Sequence, residues 1–176
     1  PPAILVDAAA EPSRLKALIG NYEVGAVITT HRHQDHTGAL ADIINMTGAQ
    51  PWCGEPDAEA IEATTGVTCS TVWDGDLFRL GDVKLDVIGL VGHTRGSIAL
   101  RLQGNPSDHV LTGDSLFPGG VGKTSGSREF ESLYTDICMK IFAPMSDTTV
   151  IHPGHGDATT VGEERPNLPL WRARGW

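Results

Sequence analysis

Two rhythms of apolar residues run through this sequence. Short apolar runs at residues 4–6, 24–28, 77–80, 83–88, 98–102, 110–112 and 148–151 are bounded by Gly, Pro, Asn or Asp and predict strands. Gly81-Asp82 and Gly104-Asn105-Pro106 fall between consecutive runs, where hairpin turns belong. Longer segments carry apolar residues three and four apart and predict helices. These are 11–19, with Pro12 suited to the first turn, a segment near 38–46, 57–63 behind Pro56, and 130–142. In the last of these Phe130, Leu133, Ile137 and Ile141 form one stripe. The alternation predicts an α/β chain, and periodicity by itself leaves a doubly wound sheet open. No internal repeat or low-complexity linker interrupts it, so the 176 residues read as a single domain, 1–176.

Charge and cysteine usage narrow the function. A formal charge of −9 argues against a nucleic-acid surface, because phosphate binding needs a basic field. No apolar run approaches the ~20 residues of a membrane span, and no signal-peptide pattern is visible. Three cysteines without paired spacing fit a reducing, cytoplasmic setting better than a disulfide scaffold.

The chemistry is concentrated in four segments, each just past the end of a predicted strand. Thr30-His31-Arg32-His33-Gln34-Asp35-His36-Thr37-Gly38 packs three imidazoles and a carboxylate into six residues after the strand at 24–28. Neutral imidazole nitrogens suit Zn²⁺, Fe²⁺ or Mn²⁺. A turn there can aim His31 and His33 at one point while Asp35 and His36 face a neighbouring one. Gly92-His93-Thr94-Arg95-Gly96-Ser97, Thr112-Gly113-Asp114-Ser115-Leu116-Phe117 and His152-Pro153-Gly154-His155-Gly156 add further His and Asp in glycine-rich loops. Any one of these alone reads as a hydrogen-bonded loop; their common placement points to metal binding.

The order HxHxDH, GHT-x-GS, GDSLF, HPGHG resembles the metallo-β-lactamase superfamily, and within it the short glyoxalase II-like hydrolases, from about Ile4 to the C-terminal region. The resemblance implies an αββα sandwich of two mixed β-sheets flanked by helices. It implies two divalent metal ions, Zn first with Fe or Mn as alternatives. His31, His33 and His93 would hold one ion; Asp35, His36 and His155 the other; Asp114 would bridge both. Asp35 would also orient the attacking hydroxide. The implied reaction is hydrolysis of a small-molecule thioester of the hydroxyacyl-thiol kind, by attack of metal-bound hydroxide on the carbonyl carbon. A second activity within the resemblance is an iron persulfide dioxygenase, holding one iron through His33, His93 and Asp114. The tRNA-processing nucleases of the superfamily conflict with the acidity, and a non-catalytic binding role with the intact ligand set. Cys53, Cys69 and Cys138 lie outside the motifs, so the Cys that one major class of lactamases places at Asp114 has no counterpart. The β-hairpin that members carry ahead of the first strand also has none, so either the chain is truncated or one sheet needs cover at its edge.

Gly122-Lys123-Thr124 mimics the end of a phosphate-binding loop, but Phe117 stands where that motif needs glycine. By resemblance Lys123 would instead face the anionic part of a thiol substrate. The tyrosines that grip glutathione in larger glyoxalases II are replaced, with Ser125 and Asp157 nearest. Another thiol carrier, or a small ester, is therefore open. Asp7 ends the first strand near the same rim, where it either orients a metal-bound histidine or caps a turn. His109 is expected to be exposed and His152 to form a wall. The basic, aromatic tail from Trp171 to Trp176 is expected to pack on the body or a subunit.

Overall fold

The computed structural model describes residues 2–175. Its first half repeats strand, helix, strand: β1 (Ala3–Val6), α1 (Pro12–Ile19), β2 (Val24–Thr29), α2 (Gln34–Thr37), α3 (Leu40–Thr47), β3 (Gln50–Gly54), α4 (Ala58–Thr65) and β4 (Ser70–Val72). Each crossover returns the chain in the same direction, so the sheet β1-β2-β3-β4 is parallel throughout. The expected mixed pairing is confined to the second sheet. That sheet is built from β5 (Leu77–Leu80), β6 (Val83–Gly89), β7 (Ile98–Leu102), β8 (His109–Gly113), β11 (Val150–Pro153) and β12 (Thr159–Thr160), in the order β12-β11-β8-β7-β6-β5. All its pairs are antiparallel except β11 with β8, which the long helical connection between them makes parallel. A two-stranded ribbon, β9 (Leu116–Phe117) with β10 (Gly120–Val121), follows β8.

Period-two alternation assigns the faces. Ile4 and Val6 of β1, Ile28 of β2, Leu85 and Val87 of β6, and Ile98 and Leu100 of β7 meet in one cluster between the sheets. The intervening Leu5 and Val27 turn outward under α1, α3 and α4. Ile88, Ala99 and Val110 turn the other way, under α5 (Ser127–Ile137) and the C-terminal segment. Helices therefore cover both outer faces of two stacked sheets, an αββα sandwich.

The helix expected over 130–142 ends at Ile137 and continues as a widened π turn, Cys138–Phe142. Lys140 on that turn donates to the Gly89 carbonyl at 2.7 Å and pairs with Asp74 at 3.0 Å and Asp136 at 3.1 Å. Asp136 in turn accepts from the Val91 amide at 2.9 Å, which pins the loop leaving β6. The chain closes with α6 (Val161–Glu164) and α7 (Leu168–Arg174). Trp171 of α7 is buried against Phe142, so this part of the tail packs on the body; Trp176 lies outside the described residues. Among the described residues no helix is long and apolar enough to cross a membrane.

Candidate metal centre

The site sits on one rim of the sandwich, where the loops after β2, β6, β8 and β11 converge. β2 delivers the chain to Thr30 and His31, both buried. The backbone then turns at His33, in extended conformation, into the single turn of α2, which carries Asp35 and His36. His31 and His33 are joined by His93 from the β6–β7 loop, and their ligand atoms lie within 4.8 Å of one another. His33 Nδ1 stands 2.9 Å from His93 Nε2. Asp35, His36, Asp114 and His155 form the second cluster under the same limit. There His155 Nε2 lies 3.2 Å from His36 Nε2 and 3.1 Å from Asp35 Oδ2.

Asp114, at the end of β8, stands between the clusters. Its Oδ1 is 3.2 Å from His36 Nε2, and its Oδ2 is 3.6 Å from His155 Nε2 and 3.8 Å from His93 Nε2. All seven residues expected to ligate metal are thus brought together, in the two groups expected. Glycine is required where loops crowd this carboxylate. A Cβ on Gly154 would come 2.3 Å from Asp114 Oδ1, and one on Gly122 would run into the Asp114 carbonyl.

Orientation of the rings is fixed from behind. His93 Nδ1 donates to the Lys123 carbonyl at 2.7 Å, which leaves the Nε2 lone pair for its cluster. His36 Nδ1 donates to Asp7 Oδ2 at 2.7 Å, which turns its Nε2 towards the second cluster. Asp7 also accepts from the Thr30 amide at 2.7 Å and hydroxyl at 2.8 Å, so it both caps the turn and orients the imidazole. It holds a left-handed backbone, φ 60°, which Asp tolerates better than most residues.

These contacts create a site that calls for a cation. Burial opposes charge on His36, yet its hydrogen bonds to Asp114 and Asp7 carry its pKa up to about 10. Burial and the neighbouring His36 and His93 push His31 down to about 2, so it is a neutral donor. Its Nε2 is buried without a hydrogen-bond partner, an expensive arrangement unless something else takes the lone pair. Burial raises the Asp114 carboxyl, but the close contact with His36 together with the charges of His36, His31 and His155 outweighs this and holds it below the ordinary range. The neutral His31 with its orphaned Nε2, the carboxylate-rich surroundings that favour positive charge at His36, and the shared Asp114 are compatible with cations at this rim. The donor set of nitrogen and oxygen suits zinc and iron alike.

One residue essential to this geometry was read from sequence only as part of a helix start. Asp57, fully buried at the turn before α4, accepts from the Arg32 amide at 3.1 Å, the Thr94 hydroxyl at 2.6 Å and the Gly96 amide at 3.0 Å. It therefore ties the turn carrying His31 and His33 to the loop carrying His93. Lys123 leaves its side chain exposed beside a cavity of about 410 Å³ that Ser125 shares. His109 departs from expectation: it is half-buried and stacked on His152, with Nδ1 to Nε2 2.9 Å. The parallel pairing of β8 with β11 brings the two rings together. His152 lines a cavity with Asp7, Asp35, His36 and His155.

An αββα sandwich whose rim carries a three-histidine cluster beside a histidine–carboxylate cluster is compatible with a pair of metal ions. The sequence profile of the Metallo-beta-lactamase superfamily matches residues 2–161, and the chain belongs to that superfamily. It is 27% identical over 190 residues to the hydroxyacylglutathione hydrolase GloC of Haemophilus influenzae, covering 98% of this chain and 88% of that protein. The BLEG-1 B3 metallo-beta-lactamase shares the fold, with a TM-score of 0.81 at 22% identity over 96% of this chain and 88% of that one. TTHA1623 in a di-iron-bound form superposes with a TM-score of 0.76 at 25% identity, over 94% and 87%.

Proposed function

We propose that the chain, as one metallo-β-lactamase-like domain over 1–176, is a dinuclear metal-dependent hydrolase of a small hydroxyacyl thioester, acting in the cytoplasm. The observation that carries this reading is the pair of ligand clusters that share Asp114. Two divalent ions, zinc or iron, would be held by His31, His33 and His93 on one side and by Asp35, His36 and His155 on the other. When bound they supply Lewis acidity and lower the pKa of water from about 15.7 towards 7. The exposed Asp35 orients the attacking water and accepts its proton. His31 is fixed by burial, while Lys123 and Asp7 fix the rings of His93 and His36. The leaving thiol, with a pKa of about 8.5, departs as thiolate with little acid assistance. Similarity to a hydroxyacylglutathione hydrolase supports a thioester substrate, and Lys123 would meet the anionic part of the carrier.

The test is metal analysis of protein purified without added metal and again after reconstitution, alongside release of free thiol from a hydroxyacyl thioester. About two ions per chain and metal-dependent thiol release are expected. A single iron that persists under reconstitution, with oxygen uptake on a persulfide and no thioester cleavage, would overturn the reading in favour of the mononuclear dioxygenase.

A further inference from the structure

Beside His93 opens a cavity of about 560 Å³ walled by Arg32, Arg95, Arg128, Glu129, Ser125 and Ser132. We propose that this cavity seats an oxyanion, carboxylate or phosphate, of the substrate's thiol carrier, and that Arg95 and Arg128 select the substrate by reading it. The inference rests on the thioesterase reading above.

Charge makes the case. The chain has 13 Lys and Arg against 22 Asp and Glu, yet three guanidiniums meet one carboxylate around this cavity. Among the described residues Arg101, Arg165 and Arg172 each have an acidic partner within 3 Å, while Arg79, on β5 and outside this cavity, has none. Among the described residues Arg95 and Arg128 have no acidic partner in an ion pair. Arg32 has only Asp57 at 3.9 Å, and that carboxylate already accepts three closer hydrogen bonds. Guanidiniums are planar forks that pair bidentately with carboxylate or phosphate. The serine hydroxyls of Ser125 and Ser132 add adaptable donors to the same wall.

Placement makes the cavity part of the reaction rather than a remote surface. His93 belongs both to its wall and to the first ligand cluster. A thioester whose carbonyl lies at the clusters thus has this space next to it for the carrier. The volume lies within the ~300–1,000 Å³ usual for small-molecule sites. Two of the arginines are held in register from beneath, because Asp57 accepts from the residues on either side of Arg95, the Thr94 hydroxyl and the Gly96 amide, and from the Arg32 amide. The seat is distinct from the exposed Lys123 side chain, which borders the neighbouring cavity.

The experiment compares the wild type with Arg95→Ala, Arg128→Ala and the double variant, all at exposed positions outside the core. Equilibrium binding of two non-hydrolysable thioethers, S-methylglutathione and S-methyl-coenzyme A, is measured calorimetrically at low and high salt on metal-loaded protein. In parallel, kcat/KM is measured on the glutathione, coenzyme A and neutral N-acetylcysteamine thioesters of one hydroxy acid. At least one thioether should bind the wild type, more weakly in salt, and each variant should lose about three- to hundredfold in affinity. The kcat/KM ratio of the anionic to the neutral thioester should fall by a similar factor. Binding of S-methylglutathione alone assigns a carboxylate carrier, and of S-methyl-coenzyme A alone a phosphate carrier. Variants that bind and discriminate as the wild type does would overturn the seat while leaving thioester hydrolysis intact, as would a wild type that binds neither thioether. Arginine-dependent binding in a protein that cleaves none of the thioesters would sustain the seat and defeat the hydrolase reading.

Discussion

Replacing Asp57 by Asn changes one atom in a fully buried carboxylate that three hydrogen bonds converge on, and its cost can be worked from the contacts. Oδ2 accepts from the Arg32 amide and the Thr94 hydroxyl, and Oδ1 from the Gly96 amide. An Asn that keeps its carbonyl at the Oδ2 position turns an NH₂ group onto the Gly96 N–H, donor against donor. Leaving that amide unsatisfied costs about 1–3 kcal/mol, and the two retained bonds drop from about 1.5–3 to about 0.5–1.5 kcal/mol each. The sum is about 3–6 kcal/mol, overlapping the ~3–5 kcal/mol seen when a buried charged pair loses a partner. For a chain of this size about 2–4 °C accompanies each kcal/mol, so Tm should fall by about 6–24 °C. Both proteins are melted metal-free in chelator, because bound metal would stabilise the native state by mass action and blur the comparison. A cooperative transition within about 3 °C of wild type would refute the argument that Asp57 holds the two histidine loops together.

Three further outcomes are expected. Asp114→Ala should leave the two clusters without their shared ligand, lowering metal content by elemental analysis and cutting turnover by more than the 10–100-fold typical of outer-shell losses; two retained ions with near-normal activity would show the bridging assignment to be wrong. Lys123→Ala should raise KM for an anionic thioester by up to about a hundredfold with kcat little changed, the signature of lost uniform binding; equal KM losses for charged and neutral thioesters would mean that Lys123 shapes its loop instead. Lys140 gains ion pairs on folding, and burial is outweighed by its hydrogen bonds to Asp74 and Asp136, so its pKa is raised. Its contribution is therefore complete below the ordinary lysine range and is lost as pH rises through the higher folded value, so the urea-midpoint gap between wild type and Lys140→Met should be level from pH 7 to 9 and close above about 10.5.

What the sequence disclosed and what it hid divide along a physical line. Candidate ligands advertise themselves, because imidazoles and carboxylates at fixed short spacing past a strand end have few other uses; His31, His33, Asp35 and His36 sit within six residues. The β5–β6 and β7–β8 hairpins were legible from apolar runs flanking Gly81-Asp82 and Gly104-Asn105-Pro106. By contrast β3 reads Gln50-Pro51-Trp52-Cys53-Gly54, with neither alternation nor branched residues, and its Pro51 argues against the interior strand it forms between β2 and β4. Tertiary pairing overrode local preference there. The short C-terminal helices were hidden by Pro166 and Pro169; the burial of Val161 and Trp171 and the bonds of Arg165 to Asp147 and the Met145 carbonyl hold them in place. The arginines of the cavity lie far apart in the chain, two on loops at positions 32 and 95 and one in the first turn of α5 at position 128, and no local pattern could have joined them.

The two acids that organise the rim were the hardest to read, and they act in parallel. Asp7 accepts the Thr30 amide and grips His36; Asp57 accepts the Arg32 amide and grips Thr94 and Gly96. The intervening His31 is thus flanked on both sides by peptide N–H groups tied to buried or half-buried carboxylates from other elements. One acid reaches towards the second cluster, the other towards the loop that supplies His93 to the first. A turn fastened at both ends cannot open to bring either cluster together at the expense of the other. The spacing between the clusters is therefore supported by the scaffold's own hydrogen bonds. This bracing is what lets four loops from a sandwich of two differently wound sheets converge on a common pair of sites.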